Sequence, residues 1–461
     1  MLGNFVQATH IAAGLMFILA LVGLRRRETA RRSTAFGILG MVFALVATGV
    51  AITHDGLAAG SAQWDSVALL CAAVLTGAVI GGWKGRRAEM AAVPGLVALF
   101  QSLSGATAML VSLNAHLVPA QSGALYSAEV VLGLLTGALV FGGSLVAWAR
   151  QDDRIAARVL APPGGFWTGL AVAAVVVGLG WWYVVTPSLI PLLLLVLSSL
   201  ALGYHLAAVP RGADVPVAVA VLGSCSGWAV VLAGLLLDQS VLVIAGALAG
   251  VFGAGLAYDM CRSMSRPPGA ALLGAFKNTK VLDSGVGEEP RVVNPADVAT
   301  MLAGARSVLI VPGHDMAAAQ AQRPIAEISS RLRERGIRVR FAIHPVAGRF
   351  PGHMNVLLAE AGVPYDSVLE VDEANECFTD TDVVLVAGAS DTVNPAAGEP
   401  GFPAAGMPVL RVWEAGQVVV FTRSLEAGRN PLLHGDNSVM CPGDVRTSLH
   451  SVLARLAEPA R

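Results

Sequence analysis

Residues able to do chemistry gather in four short, glycine-bearing stretches of the last third of the chain: PGHDMAAAQ (312–320), HPVAGRFPGH (344–353), GASDTVNPAA (388–397) and TRSLEAGRNP (422–431). Their small residues let a backbone come close to a ligand, and Arg349 and Arg423 carry forked donors that match phosphate oxygens. That combination points to nucleotide binding; the competing reading is four glycine-rich turns and nothing more. A standard NAD fingerprint asks for G-x-G-x-x-G/A in the first loop and an acid about 20 residues on, at the end of the second strand. Here the loop reads Gly313-His314-Asp315-Met316-Ala317-Ala318, with an aspartate at the second glycine, and His344 stands where the acid belongs. The missing ribose-binding acid argues against NAD and leaves room for a 2′-phosphate met by an arginine.

Such loops need a scaffold, and the residues around them supply one. Short β-branched runs at 307–311, 337–343, 367–371, 382–388, 408–412 and 417–423 predict six strands. They alternate with helical stretches at 316–336, 353–362 and 444–458, so the expected architecture is a Rossmann-like, doubly wound parallel sheet. Ligands bind such sheets at the carboxyl ends of the strands, where the four loops leave. Residues 267–291, rich in Gly and Pro, read as a linker, and 292–461 as the nucleotide-binding domain.

Everything before residue 267 reads as membrane. The 461 residues are 55% hydrophobic and 14% charged, against about 25% charged in soluble proteins. A formal net charge of −1 gives no signature for nucleic acid as a partner. The five cysteines form no CxxC pair, so neither a disulfide framework nor a metal site is expected. Apolar windows near 5–24, 35–53, 66–83, 93–117, 125–148, 166–184, 188–208, 215–236 and 240–258 predict nine spans and a helical bundle over 1–266. The first window is followed by arginines rather than a cleavage site, and reads as a retained helix.

Lys and Arg cluster after every odd window (25–32, 84–87, 150–158, 210–214, 259–266). The positive-inside rule then places the N-terminus outside and the C-terminal domain in the cytoplasm. Small-xxx-small pairs at Gly77/Gly81, Gly133/Gly137 and Gly246/Gly250 suggest close helix contacts. Polar residues in the spans are few. Glu129, His10, His116 and His205 lie toward span ends or at modest depth, Asp214 suits a helix N-cap, and Gln101, Ser104, Ser224 and Ser226 lie inside spans four and eight.

The runs HPVAGRFPGHMNVLLAEAGVPYDSVLE, AQAQRPIAEIS, DTDVVLVAGASDTVNPAA and GMPVLRVWEAGQVVVFTRS, set behind nine spans, resemble the β subunit of the proton-translocating nicotinamide nucleotide transhydrogenase over essentially the whole chain. The resemblance implies that the cytosolic domain binds NADP(H) in a flipped sense and that a separate α subunit brings NAD(H). It implies hydride transfer directly between the nicotinamides, with no catalytic acid or base, coupled to proton passage through the bundle in the cell's inner membrane. Carried over by position, Gly313, Met316 and Ala317 form the first loop, and Ala347, Gly348 and Arg349 meet the pyrophosphate region. Gly388 and Ala389 lead to Asp391 and Thr392 at the nicotinamide end, while Arg423 and Ser424 take the 2′-phosphate. Gln101, Asp214, Gly223, Ser224 and Arg266 fall on the proton and coupling positions. Lipid surrounds the bundle, and a homodimer of α–β units is the expected assembly.

Several positions depart from that family's pattern. Its first loop reads Gly-Tyr-Gly where this one reads Gly313-His314-Asp315, and a lysine precedes its arginine where Thr422 stands. The loop after Arg423 is shorter than the family's and lacks its Gly-Tyr-Ala, with Arg429 as a partial substitute. Gln101 replaces a histidine and Gly223 an asparagine, and a glutamine cannot relay a proton by titrating. His10 or Glu129 would then have to carry the proton. These changes leave two other readings: a diverged, non-catalytic relative that senses a nucleotide or stabilises an assembly, and a transporter gated by a nucleotide domain. No pair of discontinuous short helices supports the last.

Overall fold

The structure, a computed structural model, describes residues 2–24, 30–58, 64–87, 93–119, 121, 123–151, 165–210, 214–264, 269, 290–345, 347–348, 352–389, 391–398, 407–422 and 430–457. They form two compact units, one of apolar helices and one built chiefly from Leu256–Arg461.

Among the described residues nine helices make the N-terminal part: α1 (Leu2–Leu24), α2 (Ala30–Ala58), α3 (Trp64–Arg87), α4 (Val93–Leu117), α5 (Ala124–Gln151), α6 (Gly165–Val185), α7 (Leu189–Ala208), α8 (Val215–Leu236) and α9 (Ser240–Ser263). Among the described residues eight of them, α2 to α9, are long and apolar enough to cross a membrane. In α1 the qualifying stretch, Val6–Ala20, is shorter, so the ninth expected crossing rests on the sequence reading alone.

Without a hydrophobic drive between helices, packing in lipid depends on small residues that bring backbones together. That is how α5 becomes the central helix. A Cβ on Gly105 of α4 would stand 2.6 Å from the Phe141 amide nitrogen, and one on Gly137 of α5 2.5 Å from that of Met109. On another face of α5, a Cβ on Gly203 of α7 would overlap the Leu139 carbonyl oxygen. Gly227 of α8 meets Gly250 of α9 in the same way, and Gly246 meets Val231. Two of the three expected glycine pairs thus lie in helix contacts. The third does not: nothing stands within 4 Å of a Cβ at Gly77 or Gly81 on α3, and α3 is exposed along its apolar window.

The second unit has six parallel strands, β1 (Ser307–Pro312), β2 (Arg338–Ala342), β3 (Val368–Leu369), β4 (Val383–Ala387), β5 (Gln417–Thr422) and β6 (Ser438–Pro442), in the order β3-β2-β1-β4-β5-β6. The register runs Val308↔Val383 between β1 and β4 and Val384↔Val418 between β4 and β5. Period-two side chains explain why β1 and β4 read as unbroken apolar runs: Val308 and Ile310 enter one core layer, Leu309 and Val311 the other. The first layer packs under α10 (Pro295–Gly304), α12 (Gln322–Glu334), α13 (His353–Glu360) and α15 (Val445–Ala457). The second lies under the short α14 (Val371–Asn375) and single turns carrying Phe378, Val412 and Leu432. At the start of β4, Asp382 Oδ2 accepts the backbone N–H groups of Arg306 (2.8 Å) and Ser307 (3.1 Å). Those donors, the Arg306 amide foremost, hold its carboxyl below the usual carboxylate range.

Three sequence expectations change. The segment 408–412 is no strand: the Leu410 amide bonds the Thr392 carbonyl (2.9 Å) instead of a ladder partner, and a 3₁₀ turn, Val412–Glu414, follows. Leu410 and Val412 are buried in the second layer, and that alternate burial produces the strand-like pattern. The sixth strand is Ser438–Pro442, so the loop at 422–431 leaves the fifth strand and not the last. The helix expected over 316–336 is two, α11 (His314–Ala318) and α12, parted at Gln320 with φ of 53°.

Candidate functional site

Order β3-β2-β1-β4-β5-β6 reverses direction between β1 and β4, and the crevice outside their carboxyl ends is where such folds take ligands. The loops there are stitched together by main chain. Gly313 N–H donates to Ala387 O (2.9 Å), Asp315 N–H to Gly388 O (3.1 Å) and Gly388 N–H to Phe421 O (3.3 Å). Only glycine fits at both hinges. A Cβ on Gly313 would overlap the Gly388 carbonyl, and Gly388, at φ 68°, faces the Asp315 Cβ at 2.5 Å from where its own would stand.

Met316 and Ala317 are buried in the first core layer; they anchor the turn from below and leave main chain and Asp315 at its rim. After β2, Ala347 is buried and Gly348 takes φ 102°, its missing Cβ 3.0 Å from His353 Nδ1. Ala389 and Thr392 are buried beyond β4, and Asp391 opens the 3₁₀ turn Asp391–Val393. The structure therefore brings Gly313, Gly388 and Ala389 directly together. Arg349, Arg423, Ser424 and Arg429 lie outside the described residues, as does the side chain of Asp391.

His344 has a role that spacing alone did not reveal. It is 1% exposed, and its Nε2 is 2.7 Å from the Pro408 carbonyl. A carbonyl only accepts, so Nε2 carries the proton and the ring ties the end of β2 to the 407–411 segment. Burial pushes its pKa down, against the opposing pull of the Pro408 oxygen. Asn394, buried, caps the next turn through Oδ1 to the Ala396 amide (3.0 Å).

In the helical unit, Gln101 of α4 and Gly223 of α8 meet: a Cβ on Gly223 would stand 2.8 Å from Gln101 Nε2. The adjacent Ser224 hydroxyl donates to Gly250 O of α9 (2.8 Å). The Ser102 hydroxyl donates to Phe141 O (3.1 Å), and α4 and α5 run antiparallel there. This sets Ser144, which the sequence reading passed over, within about one turn (5.4 Å) of the level of Gln101. Gln101 Oε1 and the Ser144 hydroxyl are buried with no hydrogen-bond partner among the described residues. The same register sets Glu129 near His116, about 15 residues or 22 Å along α4 from Gln101, so Glu129 is not its neighbour. His116 Nδ1 pairs with the Tyr183 hydroxyl (2.9 Å). Asp214 directly precedes α8, and Arg266 lies outside the described residues.

Spans followed by a parallel sheet with a glycine-hinged switch-point crevice define an integral membrane protein bearing a dinucleotide-type domain. A family model described as the NAD(P) transhydrogenase beta subunit matches residues 6–455. Two sequences named NAD(P) transhydrogenase subunit beta, one from Rhodospirillum rubrum and one from a designated strain of that species, are each 38% identical over 467 aligned residues. The alignments cover 98% of this chain and 98% of theirs. The chain belongs to the NAD(P) transhydrogenase beta subunit family.

Proposed function

We propose that this chain is the membrane subunit of a proton-translocating transhydrogenase, exchanging hydride between NADP(H) in its C-terminal domain and NAD(H) held by an α subunit. Family membership across nearly the whole chain carries this reading. In it, 1–266 is the proton-translocating bundle of nine spans, 267–291 the linker and 292–461 the NADP(H) domain. The N-terminus is outside, the domain is in the cytoplasm, and the assembly is a homodimer of α–β units in the inner membrane.

The site is suited to such a ligand: the small residues beyond the strand ends, buried Ala347 and Ala389 and the left-handed Gly348, put no bulky side chain in the way of a ligand at the crevice. Bound nucleotides supply the redox chemistry, a hydride passing between two nicotinamide rings. The chain's own part is positioning. Gly313 and Gly388 shape the crevice, His344 holds the 407–411 segment, Asp391 and Thr392 flank the nicotinamide end, and Arg349, Arg423 and Ser424 hold phosphates. In the bundle, Gln101 cannot titrate, so passage at its level relies on the hydroxyls of Ser144 and Ser224 and on water.

The amide at Gln101 is also the observation that favours a second reading, a non-catalytic relative. Vesicles holding this chain and its α partner decide between them. NADPH should reduce an NAD analogue while the lumen pH changes. Reduction without a pH change removes the proton half of the proposal; no reduction at all favours the non-catalytic relative.

A further inference from the structure

We infer that Asp315 is a specificity-determining residue that keeps a diphosphate away from the first loop, weakening nucleotide binding at that point; this rests on the NADP(H) reading above. In dinucleotide folds the second fingerprint glycine exists so that the pyrophosphate can approach the backbone at the start of the first helix. Here that position carries a carboxylate. The loop has not rearranged to remove it: the Asp315 amide is committed to Gly388 O (3.1 Å), which fixes the residue at the β1–β4 switch point.

The stem is held as well. Asp315 Cβ packs against the Cα of Gly388, a left-handed glycine whose own Cβ would meet it at 2.5 Å. The side chain is half-buried, and among the described residues no hydrogen-bond donor or cation meets its carboxylate. Among the described residues of this unit, the ion pairs Arg306–Asp382, Arg331–Glu327 and Arg411–Glu414 do not involve Asp315. A ligand diphosphate approaching the first loop therefore meets a like charge that no cation among the described residues offsets. The consequence is a site that leans on the 2′-phosphate end of the nucleotide for its affinity.

The test uses purified full-length chain, as wild type, Asp315→Asn and Asp315→Gly. Each is titrated calorimetrically with NADPH and with adenosine 2′-monophosphate, which keeps the 2′-phosphate and has no diphosphate, at low and high salt. Asp315→Asn removes the charge and keeps the shape, and no hydrogen bond of the fold is lost with it. Expected is NADPH binding about tenfold tighter in Asp315→Asn and Asp315→Gly than in wild type at low salt. The gap should shrink at high salt as the charges are screened, and the 2′-monophosphate should bind all three alike. Equal NADPH affinity in wild type and Asp315→Asn overturns the inference while leaving the nucleotide reading intact. So does an equal gain for the fragment. If none of the three binds NADPH, the NADP(H) reading falls and takes this inference with it.

Discussion

Replacing Gly227 by alanine tests whether the bundle is assembled through glycine. The added Cβ would lie 2.5 Å from Gly250 Cα and 2.7 Å from Gly246 O, and would overlap the Gly250 amide nitrogen. Carbon atoms in contact prefer about 3.5–4.0 Å, so α8 and α9 must move apart by about 1 Å. All three obstacles are backbone, so no rotamer change relieves the clash. Overpacking of this kind costs about 1–3 kcal/mol, partly offset by the roughly 1 kcal/mol better helix propensity of alanine.

Gly77→Ala on α3 is the matched control, because nothing stands within 4 Å of its Cβ. Only the propensity term acts there, so the variant should be neutral or slightly more stable. The assay is unfolding of detergent-purified full-length protein by titration with a denaturing detergent, comparing midpoints among wild type, Gly227→Ala and Gly77→Ala. Equal midpoints for the two variants would refute the claim that close backbone approach, rather than glycine content as such, holds α8 to α9.

Gly223→Ala should be mild, under about 1 kcal/mol, because the added Cβ meets only the end of the flexible Gln101 side chain; the same unfolding titration checks this, and in Gln101→Ala the cost of adding Gly223→Ala should vanish. His344 contributes a pH dependence whose sign follows from its lowered pKa. The unfolded chain binds the proton more readily, so stability present at pH 7 falls on acidification below about 6.5. Thermal scans across that range should show a shallower acid limb for His344→Asn, which also loses about 1 kcal/mol at neutral pH with the bond to Pro408.

Much of the architecture is legible in the sequence. Runs of apolar residues long enough to span are local features, and the alternation of buried strands with amphipathic helices predicted a parallel sheet whose order the structure supplies. Five of the six expected strands are present. The failure at 408–412 is instructive: Leu410 and Val412 are as buried as any strand residue, yet the Leu410 amide goes to Thr392. Conversely, SVMCP at 438–442 has only three apolar residues between a serine and a proline, and becomes a strand because β5 offers it a free edge.

The candidate site shows the same division. Gly313 and Gly388 both fall in loops that the sequence marks by their glycines, since a requirement for a missing side chain is written in the residue type. A serine within an apolar span has no distinctive local pattern, and only the packing of α5 against α4 sets Ser144 at about the level of Gln101. His344 was noticed for the acid it replaces, while its actual bond runs to a carbonyl 64 residues away.

By itself, the sequence determined which segments leave water, which residues line loops, and where glycine is available for close contact. Those depend on transfer free energy and backbone freedom, properties each segment carries wherever it lies. Tertiary structure alone decided which glycines are used, with Gly227 pressed on Gly250 and Gly77 facing nothing. It alone decided whether an apolar run pairs as a strand, and that Asp315 stands against Gly388. Those depend on the partner across a contact, and partners are chosen by the fold of the whole chain.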